Sequence, residues 1–141
     1  MSSRTAASSG QPMTILLVAR LLMASLAFFG GVEKIFKYAD AVGFASAFQI
    51  PAARYTMPFA IILEIGCAAM LLAPRYCRLG ARILAVWTLV LGIWFHRFWA
   101  VPPAEWQSTI DSFFHHFVMV GGFLYVAVFG DGRGYLKGQT S

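Results

Sequence analysis

The sequence predicts an all-α integral membrane protein: a four-helix bundle with a short amphipathic interfacial helix between spans one and two. Two observations carry that expectation. Of 141 residues, 59% are hydrophobic and only 12% charged, against the roughly 25% charged residues usual in soluble domains. The apolar residues also gather into four runs, and a span needs about 20 mostly apolar residues.

The first twelve residues, Met1 to Pro12, are small and polar and are expected to form a flexible segment. Residues 13–130 then form the membrane domain, with spans at about 13–32, 56–73, 79–99 and 113–129. The first run continues too long for a signal peptide and is followed by no A-x-A cleavage pattern, so it is read as a retained helix. Between spans one and two, Asp40 is a good helix N-cap and Pro51 a stop. Val42, Phe44, Ala45 and Phe48 fall at helical spacing between them, as in a helix lying at the membrane surface. The third span is uncharged only from Ile83 to Phe95. It qualifies because Arg82 and Arg97 can snorkel to opposite interfaces, with Trp94 and Trp99 as interfacial aromatics. A double proline, Pro102-Pro103, interrupts the chain before span four. Residues 131–141, with Gly132, Gly134 and Gly138, are expected to be a flexible tail.

Four spans put both termini and the loop between spans two and three on one side. That side carries Arg4, Arg75, Arg78, Arg82, Asp131, Arg133 and Lys137, net +5. The other carries Glu33, Lys34, Lys37, Asp40, Arg54, Arg97, Glu105 and Asp111, net zero. The positive-inside rule therefore predicts cytoplasmic termini. Basic residues beside spans and anionic lipid headgroups account for the overall charge, so no nucleic-acid partner is expected. No GxGxxG, Walker loop or HExxH motif occurs. Cys67 and Cys77 form no CxxC; the first is expected at lipid depth, the second in a loop, with no disulfide.

Glu64 stands alone in a long apolar run, with no charge within seven residues on either side. A carboxylate at that depth costs roughly 2.5 kcal/mol or more and is by default a functional or paired group. Arg20 is its natural partner. It lies roughly 10 Å into span one from the terminal side, and Glu64 lies about 12 Å into span two from the other. The pair then either fixes helix packing or works as a proton- or substrate-linked carboxylate. A second polar cluster gathers near the outer surface. His96 ends span three, while His115 and His116 lie one turn into span four, just after Asp111, with Asp111 and His115 on one helix face. His96 can approach His115 or His116, and Glu33 and Lys34 are close enough in depth to join them. Such histidines can move protons, hold a quinone carbonyl or ligate a metal, or merely satisfy each other in the aromatic belt. Two histidines fall short of the three or four ligands a metal wants, so none is expected.

Several of these segments resemble the DoxX family. The pattern begins with Arg20-Leu21-Leu22 and Phe29-Gly30-Gly31-Val32-Glu33-Lys34-Ile35-Phe36, followed by Leu63-Glu64-Ile65-Gly66. It continues through His96-Arg97-Phe98-Trp99 and closes with Gly130-Asp131-Gly132-Arg133-Gly134. The resemblance covers nearly the whole chain. It implies a four-helix bacterial inner-membrane protein, linked to quinol-oxidising and thiosulfate:quinone systems and membrane oxidoreductase complexes. It marks Arg20, Lys34, Glu64 and His96 as the family's polar positions.

The resulting expectation is a small subunit of a membrane redox system that contacts quinone through Lys34, His96, Asp111, His115 and His116. Such a subunit has no cofactor motif of its own. Its partners are the lipid bilayer and other membrane or periplasmic redox proteins, or a second copy of itself. A non-catalytic accessory subunit and a small proton-coupled transporter remain the alternatives.

Overall fold

The computed structural model describes residues 11–130. They form α1 (Gln11–Phe36), α2 (Tyr38–Ala47), α3 (Ala53–Leu72), α4 (Cys77–Phe95), a 3-10 turn (Phe98–Ala100) and α5 (Pro103–Phe129). Helices α1, α3, α4 and α5 are long and apolar enough to cross a membrane, and α2 is the short helix between the first two. The fold is the predicted all-α membrane bundle. The expected flexible tail lies outside the described residues, as does the N-terminal segment apart from Gln11 and Pro12, which belong to α1.

Several boundaries fall elsewhere than the sequence predicts. Helix α1 continues to Phe36, so α2 starts at Tyr38 and Asp40 sits in its first turn rather than at its cap. There the carboxylate still faces the positive end of the helix dipole. Helix α5 begins ten residues before the expected span, at Pro103. The double proline is the cause: proline is costly in a helix interior but suited to the first turn, where its missing N–H has no partner to lose. Pro58 lies inside α3, where a ring nitrogen leaves the carbonyl four residues back without its helical donor. That carbonyl belongs to Arg54, and the Tyr38 hydroxyl donates to it at 2.7 Å. Cys77 is the first residue of α4 and fully buried rather than in a loop. Both cysteines are free.

The bundle is built from two close pairs, α1 with α3 and α4 with α5, joined by lesser contacts. Glycine sets the closeness of each pair. A Cβ on Gly31 would lie 2.7 Å from Ile65 Cγ1, and one on Gly92 would lie 2.8 Å from His116 Cβ. The pairs meet toward the end where α3 turns into α4. There a Cβ on Gly80 would sit 2.8 Å from Met70 Cβ, and one on Gly122 would sit 3.0 Å from the Met23 thioether. Small residues supply most of the core (Ala24, Ala27, Cys67, Ala68, Ala81, Ala85 and Ala127), with Leu71, Leu84, Phe123 and Val126 filling between them. Lipid is as apolar as leucine and drives no burial, so packing of small side chains is what holds membrane helices together. The outward faces carry Leu22, Phe29, Ile62 and Val118, the surface a bilayer solvates.

At the opposite end α2 ties the pairs together. Ala45 packs with Ala53 and Met57 at the start of α3. Phe44 stacks on Phe95 with centroids 5.2 Å apart, and Trp94 donates its indole N–H to the Phe48 carbonyl at 3.0 Å. Residues Gln49 and Ala52 turn the chain between α2 and α3 with positive φ, 58° and 50°.

Candidate functional site

The α1–α3 register decides which cation meets Glu64. Gly31 faces Glu64 and Ile65, so Lys34, three residues on, lies at the level of the carboxylate. Lys34 Nζ is 3.0 Å from Oε1 and 2.8 Å from Oε2, and Glu64 is 5% exposed. The third ammonium hydrogen goes to the Gly30 carbonyl at 3.1 Å. Trp87 on α4 adds its indole N–H to Glu64 Oε1 at 3.1 Å. Three helices therefore converge on one carboxylate.

The expected Arg20–Glu64 pair does not form. Arg20 is eleven residues from Gly31, roughly 16 Å along a helix, more than a side chain covers. It is buried at the other end of α3 instead. There Nε donates to the Leu71 carbonyl at 2.7 Å and Nη2 to that of Leu72 at 2.6 Å, with Nη1 3.5 Å from the Gly130 carbonyl. The Leu71 and Leu72 carbonyls close the C-terminus of α3 and that of Gly130 caps α5, ends where a helix leaves acceptors unmet and its dipole favours a cation. Arg20 is thus a cap that also binds α1 and α5 to α3.

Beside Glu64 the two helix pairs line an open-sided cavity of about 100 Å³. Its polar wall is Glu64, Lys34, Thr88 and His116, with Trp87; Leu26, Leu84, Met119 and Phe123 are among its apolar lining. Gly30 opens one side of it: a Cβ there would stand 3.4 Å from Glu64 Oε2 and 3.8 Å from Lys34 Nζ, in ordinary contact but within the space. Leu26 is 45% exposed and the Lys34 side chain 29%, so the cavity reaches the bundle surface on the α1 side.

The histidines divide. His96 meets His116, ring centroids 4.7 Å apart, and Gly92 makes room for that meeting. His116 Nδ1 is 2.9 Å from the Ser112 carbonyl. Asp111 and His115 are exposed and outside the cavity wall. Asp111 accepts from Gln107 one turn back at 3.1 Å rather than pairing with His115. Glu33 stays on the surface of α1, paired with Lys37 at 2.9 Å. Of the predicted site residues, the structure thus brings Lys34, Glu64 and His116 to one cavity, with His96 against His116. Among the described residues, no three His, Cys, Asp or Glu side chains converge as a metal site would require.

Sequence reasoning missed Trp87, Thr88 and Gly30. A tryptophan at mid-span was a usable signal, because a buried indole N–H seeks an acceptor and Glu64 was the acceptor in need of donors.

These features define a multi-pass membrane protein with a neutralised polar cluster and a cavity at lipid depth. The DoxX family model matches residues 15–97, which contain Arg20, Lys34, Glu64, Trp87 and His96. The inner membrane protein YqjF of Escherichia coli (strain K12) is 32% identical over 118 residues, covering 82% of this chain and 84% of that protein. No solved structure matches the chain. The chain belongs to the DoxX family and is an integral, multi-pass inner-membrane protein.

Proposed function

We propose that this DoxX-family protein is a small subunit of a membrane redox system and holds the head of a lipid-soluble quinone in the cavity beside Glu64. The observation that supports this reading is the composition of the cavity wall. A carboxylate, an ammonium, an imidazole and a hydroxyl line a space otherwise apolar, at a depth where polar groups are expensive and mark function by default. The Lys34–Glu64 pair is neutral as a unit, so the cavity suits an uncharged ligand that arrives through lipid. Electrons in this reading come from or go to a partner protein. In this reading the termini are cytoplasmic, which puts the cavity in the periplasmic half of the bilayer.

Purification in native lipid, with mass spectrometry of the lipophilic extract, tests this. Quinone should be recovered with the wild-type protein and depleted at least several-fold from Gly30→Ala. Equal recovery from both, or none from either, defeats the reading.

An accessory role has one observation in its favour: Arg20 is consumed in joining α1, α3 and α5, as expected of a subunit whose buried charges only organise helices. Replacing Lys34 and Glu64 together by apolar residues separates the two readings. The accessory role requires unchanged activity of the assembled complex. The helices crossing the membrane run unbroken, which lends no support to a small transporter with midplane half-helices.

A further inference from the structure

The hydrogen bonds around the cavity are unevenly spent. An ammonium has three hydrogens and an indole one. All three of Lys34 are engaged, on the Gly30 carbonyl and the two Glu64 oxygens. The hydrogen of Trp87 is engaged on Glu64 Oε1. A carbonyl can only accept, so the contact of His116 Nδ1 with the Ser112 carbonyl at 2.9 Å puts the proton on Nδ1. In the neutral imidazole Nε2 is then an acceptor. Glu64 Oε2 takes only the Lys34 hydrogen bond among the described residues and keeps acceptor capacity of its own. The Thr88 hydroxyl, which works either way, is the remaining polar side chain of the wall.

The wall therefore has acceptors to spare and nearly no donors. We infer that the cavity selects a neutral ligand by its hydroxyl hydrogens, so that it binds a quinol in preference to the corresponding quinone. A quinol offers its O–H chiefly to His116 Nε2, with Glu64 Oε2 taking the lesser share. The carbonyls of a quinone find only Thr88, and a buried polar group left unmatched is where discrimination is greatest. The volume is consistent with one edge of a ring. At about 100 Å³ the cavity is smaller than the roughly 150 Å³ that takes up a whole benzene, so the rest of the ring and its tail lie in the gap by Leu26. This inference rests on the quinone reading above and adds which redox form the site prefers. A tenfold preference for the reduced form would raise the two-electron potential of the bound couple by about 30 mV.

The test is equilibrium binding to the full-length protein in lipid nanodiscs, under argon, corrected with empty nanodiscs. The probes are a short-chain benzoquinol, its quinone and the di-O-methyl ether of the quinol, which keeps the ring but has no hydrogen to donate. The quinol should bind about tenfold more tightly than the quinone or the ether, roughly the worth of one hydrogen bond. His116→Phe should erase most of that preference, and His116→Gln, whose amide oxygen accepts, should keep more of it. A quinone that binds as tightly as the quinol, or a preference untouched by both substitutions, overturns the inference and leaves the quinone site standing. If neither form binds, the quinone site falls and this inference with it.

Discussion

Arg20 and Glu64 are the two charges buried most deeply in the described bundle, 7% and 5% exposed, yet they do opposite things with their surroundings. Arg20 spends its guanidinium on backbone carbonyls of α3 and on Gly130. Glu64 is met by two side chains from two other helices and has a cavity beside it. A charge that closes helix ends can be explained by packing alone. A charge held by side chains at the edge of open space leaves chemistry available, which is why the functional reading attaches to Glu64.

If that contrast is right, substitutions at the two positions diverge. Glu64→Ala is expected to have the largest effect. It leaves the Lys34 ammonium and the Trp87 N–H without their acceptor, and breaking a buried pair from one side costs about 3 kcal/mol. The melting temperature in mild detergent should fall markedly, and Lys34→Met in the same chain should recover much of the loss. Arg20→Met should follow at about 2 kcal/mol, for unmet carbonyls at a helix terminus. It should loosen α5 from α3 while ligand affinity, measured in the folded protein, stays within about twofold. A tenfold fall in affinity from Arg20→Met would erase the distinction between the two sites.

The sequence made the bundle legible because span length and charge depletion follow directly from the bilayer. It made Arg20, Glu64, Lys34 and His96 visible as polar residues in apolar surroundings. The pairing was not legible, because depth counted from span ends carries no register. Gly31 packing on Ile65 sets that register, and a slide of about four turns separates Arg20 from Lys34 as partner. The start of α5 was misread for a local reason: Pro102 and Pro103 signal a stop, and the same ring that ends one helix begins the next. Asp111 and His115 share a face by spacing, but that face points away from the cavity.

Gly92→Ala is expected to have a smaller effect on stability. Its methyl would lie 2.8 Å from His116 Cβ, overpacking worth about 1–2 kcal/mol, and it should shift the His116 imidazole. Histidine NMR signals of labelled protein report that movement, and unchanged His96 and His116 resonances would contradict the close α4–α5 contact.

The most direct test of the cavity is Gly30→Ala. The added methyl meets Glu64 Oε2 at 3.4 Å without a clash, and alanine favours a helix over glycine by up to about 1 kcal/mol. The variant should therefore melt at or slightly above the wild-type temperature while its affinity for the short-chain quinol in nanodiscs drops tenfold or more. Wild-type affinity in a stable Gly30→Ala protein would contradict the claim that the space beside Glu64 is where the ligand sits.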